Sequence, residues 1–178
     1  MASKTPDNNL GSFLTNKKIA NIDIHADTSI SAVELSKLRN GIIKKIPAKK
    51  LALIALSINV DIGKVVMETY PNLKLEPSKD NAKVSKSTKL GKFLDGVENN
   101  TLTIISHRTG ISVPRLKILK TRANAIPLAH ELYLIELATN EKPGNLFKLI
   151  FSDLVINTPE VQKILREKEK LRSAKKKK

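Results

Sequence analysis

The 178-residue chain carries 32 lysines and arginines against 17 aspartates and glutamates, a formal charge of +15, and is 40% apolar but only 3% aromatic. It has no cysteine, which excludes disulfides, zinc–cysteine centres and thiol catalysis, and no apolar run approaches the roughly 20 residues that span a bilayer. The basic balance points to a polyanion, nucleic acid first, and an aliphatic, aromatic-poor chain suits small helix bundles better than β-sandwiches or base-stacking platforms.

Residues 1–9 are polar, lack the apolar stretch of a signal peptide, and are expected to be mobile. From Leu10 an apolar framework begins that returns about 80 residues later. Leu10-Gly11-Ser12-Phe13-Leu14 reappears as Leu90-Gly91-Lys92-Phe93-Leu94, and Ile30-Ser31 with Leu35 and Leu38 as Ile111-Ser112 with Leu116 and Leu119. Ile46-Pro47 reappears as Ile126-Pro127; the three offsets are 80, 81 and 80. The repeat divides the chain into a first unit over 10–75, a Ser/Lys/Asn-rich linker over 76–89, a second unit over 90–157, and a basic helix with a lysine tail over 158–178. Each unit is small enough to be only modestly stable alone.

In the first unit, Ile22-Asp23-Ile24-His25 is a weak helix former, and Asp27-Thr28-Ser29 stands where a tight turn favours glycine. Ser31 caps a helix bearing Val33, Leu35 and Leu38, which Gly41 ends. Pro47 opens the next helix, with Leu51, Ile54, Ala55 and Ile58 at helical spacing, and a short helix follows near Ile62, Val65 and Val66. The second unit repeats the plan: Ser112 precedes Leu116 and Leu119, Pro127 precedes Leu128, Leu132 and Ile135, and Pro143-Gly144 precedes Leu146, Leu149 and Ile150. Thr158-Pro159-Glu160 starts a last helix on which Val161, Ile164, Leu165 and Leu171 form a narrow stripe fit to pair two chains. No segment alternates with period two, so the expected fold is all-α.

The stretch from Leu102 to Ser112, with its Thr109-Gly110-Ile111-Ser112 turn, and the stretch from Ile30 to Gly41 resemble the helix-turn-helix of the lambda-repressor/Cro-like DNA-binding family. The spacing from Gly41 to Pro47 and the Leu/Ala-rich helix after it fit the same pattern, and the resemblance covers about 130 residues in two divergent copies. It implies two tandem helix-turn-helix bundles, each with a recognition helix entering the major groove. Base-facing positions are then Ala32, Val33, Ser36 and Lys37 in copy one and Val113, Arg115 and Lys117 in copy two. Arg115 is expected to make a bidentate contact with guanine, and Ala32 and Val113 to meet thymine methyls. Phosphate clamps fall to Ser31, Lys37, Arg39, Lys44, Lys45, Ser112, Lys120 and Arg122. Three departures stand out: Glu34 would lie at the DNA surface, Pro114 sits in the first turn of the second recognition helix, and Arg122 replaces the usual helix-ending glycine. Copy two is the expected stronger binder.

Lys175, Lys176, Lys177 and Lys178 read as a nonspecific arm for phosphate backbones. His25, His107 and His130 show no metal-ligand spacing, and His107 and His130 read as surface or boundary residues, Tyr70 and Tyr133 as core. No phosphate loop, dinucleotide motif or nucleophile elbow is present, so neither an enzyme, nor a cofactor, nor a small-molecule substrate is expected. The expected function is sequence-specific binding of double-stranded DNA, as a transcriptional regulator in the cytoplasm on the nucleoid, or in a virion if phage-encoded. The alternative is a packaging or scaffold protein that coats nucleic acid without reading it.

Overall fold

A computed structural model describes residues 6–75, 89–96 and 102–175. Among these residues the chain is all-α: eleven helices and one isolated β-bridge. The first unit contributes α1 (Leu10–Asn16), α2 (Asn21–Thr28), α3 (Ala32–Arg39), α4 (Ala48–Ser57) and α5 (Ile62–Thr69). The second contributes α6 (Lys89–Gly96), α7 (Leu102–Thr109), α8 (Val113–Thr121), α9 (Ala129–Ala138) and α10 (Asn145–Ile150), and α11 (Pro159–Lys175) follows. No helix among them is long and apolar enough to cross a membrane. Residues 76–88 of the expected linker and Lys176, Lys177 and Lys178 lie outside the described residues.

Weak local propensity does not prevent α2 from forming. Ile24 and Ala26 are fully buried, His25 Nδ1–H donates to the Ile30 carbonyl at 2.8 Å, and Thr28 Oγ1 donates to Ile24 O at 2.6 Å. Burial of one helix face outweighs the few tenths of a kcal/mol per residue lost to β-branched and acidic residues. At the last residue of the 1–9 segment, the Asn9 N–H donates to Thr69 O at 2.8 Å.

The two copies do not stand apart; their cores join. One apolar cluster runs from Leu10, Ile24 and Leu51 through Val65 and Val66 to Leu116, Leu132 and Phe147. The join is reciprocal. Pro47 and Leu128 form the β-bridge, the Ala48 N–H donates to Pro127 O at 2.9 Å, and the Ala129 N–H donates to Ile46 O at 2.8 Å. Gly63 and Gly144 meet so closely that a Cβ on Gly144 would stand 2.5 Å from Gly63 N. Pro47–Leu128 and Gly63–Gly144 each join positions 81 residues apart, the two hydrogen bonds are each other's counterparts at that offset, and α4 touches α10 as α5 touches α9. Residue i meeting j while j's counterpart meets i's is the signature of a twofold axis, here internal to one chain. The geometry also corrects the repeat register. Ile46 is fully buried while Ile126 is 65% exposed, so Pro47 corresponds to Leu128, not to Pro127, and the offset from α2 onward is 81.

His130, expected at the surface or boundary, lies at this joint: it is buried and packs edge-on against Tyr70, ring centroids 6.1 Å apart. Burial lowers its pKa, with Lys45 and Arg115 adding to the effect and Glu131 opposing it. Tyr70 and Tyr133 are buried as expected.

The copies solve one capping problem differently. Asp61 caps α5 locally, its Oδ1 accepting from the Gly63 N–H at 2.9 Å. At α10 the fully buried Glu136 reaches back, accepting from the N–H groups of Gly144 at 2.9 Å and Leu146 at 2.7 Å. Burial nevertheless pushes the Glu136 carboxyl up to about 7. A carboxyl raised in the folded state holds its proton more tightly folded than unfolded. Its stabilisation is therefore present at acid pH and is lost as pH climbs through the folded value. Between about pH 6.5 and 7.5 His130 opposes this with a smaller gain, because its folded pKa is lowered and the unfolded chain still loses protons from it there. From pH 6.5 to 8 the Glu136 carboxyl is expected to contribute a loss of about 1 kcal/mol of stability in urea titrations. Glu136→Gln, at an overall cost from one lost acceptor, should flatten that dependence; an unchanged slope in the variant would assign it elsewhere.

Candidate nucleic-acid interface

The segments α2–turn–α3 and α7–turn–α8 share one construction. Ser29 (φ 60°) and Gly110 (φ 68°) occupy the left-handed region at the turn. Thr28 and Thr109 each donate Oγ1 to the carbonyl four residues back and accept, at 3.2 Å, the N–H two residues on. Ile30 and Ile111 fill the corner. Ser31 and Ser112 share φ −62°, ψ 144° and cap the next helix, accepting from the N–H groups of Glu34 and Arg115. Both caps fall where the sequence places them, and Pro114 fits because it lies in the first turn of α8. Ser29 takes the strained conformation that glycine takes in copy two. It is braced by Asn157, whose side chain donates to Ser29 Oγ at 2.9 Å and to Ala26 O at 2.6 Å.

The proposed contact residues divide into those facing water and those turned inward. On α3, Val33, Ser36 and Lys37 are exposed and Ala32 is half-buried; on α8, Lys117 is exposed, while Val113 packs partly into the core and has less surface for a thymine methyl. Lys44, Lys45 and Arg122 are exposed on the two loops that run from α3 and α8 to the twofold bridge, with Lys44 3.4 Å from Asp7. Lys175 ends α11, exposed.

Three expected contacts are corrected. Arg115 does not present a free guanidinium for guanine. Its Nε and Nη2 each lie 2.8 Å from a Glu131 carboxylate oxygen, and Nη2 also donates to Ile126 O at 2.8 Å. That hydrogen-bonded carboxylate raises its pKa further. Arg39, half-buried, turns back to donate to the Ile19 carbonyl, and Lys120, its counterpart 81 residues on, is 1% exposed, so neither stands out in water as the expected phosphate clamps would. Both lie on the last turn of their helix, on the side facing the preceding helices. Glu34 likewise pairs with Lys50.

Glu34–Lys50 and Arg115–Glu131 occupy equivalent positions with the charges exchanged. Each pair ties the N3 position of the capped helix to the first turn of the helix after it. Sequence reading missed this, although a signal was present: positions 34 and 115, and 50 and 131, hold opposite charges at the repeat offset. A second asymmetry is α11. It packs on α2 of its own chain, so the stripe offered for pairing two chains is divided: Leu165 is half-buried and Arg166 pairs with α2, while Val161, Ile164 and Leu171 are exposed.

No family model, curated protein or solved structure matches this chain. Among the described residues no group of three or more His, Asp or Glu side chains is placed to hold a metal ion.

Proposed function

We propose that this protein binds double-stranded DNA as a single-chain counterpart of a twofold dimer, a transcriptional regulator with α3 and α8 as its two readers in lambda-repressor/Cro-like helix-turn-helix units. The observation that carries this reading is the reciprocal joint of Pro47 with Leu128 and Gly63 with Gly144, which holds two equally capped turn-and-helix segments in a constant mutual relation. Dimeric readers need such a relation to meet two half-sites about one helical turn apart. Supplied within one chain, it removes the concentration dependence of dimerisation. The formal charge of +15 supplies the long-range attraction.

Because α3 offers Val33, Ser36 and Lys37 where α8 offers Pro114, Lys117 and Ile118, the two half-sites should differ. Selection from random duplex DNA at two salt concentrations tests this. An enriched, non-palindromic motif retained at the higher salt is expected; a perfectly symmetric motif would contradict two unlike readers. A second reading, coating of nucleic acid without base recognition, is favoured by one observation: Arg115, the best candidate base reader, is occupied by Glu131. Tight binding with no enriched motif, collapsing as salt rises, would select it.

A further inference from the structure

The charge of the C-terminal helix is not spread evenly along it. Residues 159–167 hold two basic and two acidic side chains, whereas 168–175 hold four basic and one acidic. The balanced half carries most of the packed face. Gln162, Leu165, Arg166 and Glu169, one helical face, are half-buried. Arg166 stands 3.4 Å from Asp23 and 3.9 Å from Asp27 of α2. Just ahead of the helix, the Asn157 N–H donates to Asp27 O at 2.7 Å. Asn157 is thus at the C-terminal end of α2 and Arg166 nearer its start, so α11 runs antiparallel to α2. From Arg166 to Lys175 the helix advances about 13 Å, while only about 3 Å of α2 precedes Asp23. The last two turns of α11 therefore project past the first turn of α2 by about 10 Å.

We infer that this projecting end is a third nucleic-acid contact, a clamp on the phosphate backbone flanking the half-site of copy one, with Lys168, Lys170 and Lys175 as its cations. The inference rests on the DNA-binding reading above. In that reading α2 crosses the backbone beside the groove that α3 enters. Lys168, level with the start of α2, and Lys170 and Lys175, carried beyond it, then meet phosphates outside the half-site. All three lysines are exposed; Arg172 is set aside because Glu169 holds it at 3.7 Å. The excess positive charge disfavours a second copy of the same helix as the occupant and favours a polyanion. Among the described residues no helix covers α7 as α11 covers α2, so the clamp serves one side only.

The test is hydroxyl-radical footprinting and a salt titration on the selected duplex, with the full chain and with the triple variant Lys168→Ala, Lys170→Ala, Lys175→Ala. The variant leaves the Asn157 and Arg166 anchors intact. The parent is expected to protect several additional base pairs on one flank of its motif. The variant should lose that protection, keep the motif, and show a slope of log K against log salt reduced by about 2–3. A footprint of equal reach on both flanks, or an unchanged slope, overturns the clamp and leaves the two-reader proposal standing. Failure of the parent chain to retain any duplex overturns both.

Discussion

Gly63→Ala should destabilise the whole chain by about 3 kcal/mol or more, lowering the thermal midpoint by roughly 6–12 °C. The added methyl would lie 2.0 Å from the Pro143 carbonyl oxygen, a backbone atom of the other copy held in place by the turn into α10. Relief requires the two copies to separate along their joint, and that joint includes buried Tyr70, His130 and Phe147. Gly41→Ala is the control. Gly41 also has a positive φ, +67°, but its Cβ would meet nothing within 4 Å, so only the backbone cost of about 1 kcal/mol is expected. Paired urea titrations of the two variants measure the difference. Equal, small losses would mean that the copies do not rely on close approach at Gly63.

Reversing the charge at Arg115 should cost a similar amount. Arg115→Glu places a carboxylate against Glu131, whose side chain is only 8% exposed, and removes both hydrogen bonds to it. Leaving a buried charge without its partner typically costs 3–5 kcal/mol. Arg115 is 31% exposed, so screening places the expected loss near the lower end, about 3 kcal/mol. The second substitution, Glu131→Lys in the Arg115→Glu background, recreates the Glu34–Lys50 arrangement of copy one and should recover most of the loss. About 1 kcal/mol should remain lost, because lysine cannot accept the Leu128 N–H that Glu131 holds at 2.8 Å. A double-mutant cycle by chemical denaturation measures the coupling. Additive losses with no rescue would show that the pair contributes nothing as a pair.

The charge-exchanged pair also shows where sequence reading stopped. The caps Ser31 and Ser112, the turn residue Gly110, the corner residues Ile30 and Ile111 and the helix start at Pro159 were all legible. So was the core stripe Leu51, Ile54 and Ala55. Each depends on residues within about four positions of one another, where capping and helical period act. Arg115 was assigned outward because its place on the helix suits a groove. Its actual partner lies 16 residues away on the next helix. Lys120 and Arg39 were assigned outward because they are cationic, yet both lie on the turn that packs toward the preceding helices. Long aliphatic stems bury well provided the charged end finds an acceptor, and no periodicity rule records that.

Local hydrogen bonds and apolar spacing are enough to specify that the described chain is helical, that it carries two copies of one plan, and where most turns and caps fall. How the copies meet, which cations remain in water, and which neighbour receives α11 depend on contacts between distant parts of the chain. The joint links Pro47 to Leu128 and Gly63 to Gly144, and α11 is held by Asp23 and Asp27, more than 130 residues earlier. Such contacts are selected by the apolar area and close backbone approach that remain available once the helices exist, and that selection is a property of surfaces, not of neighbouring residues in the chain.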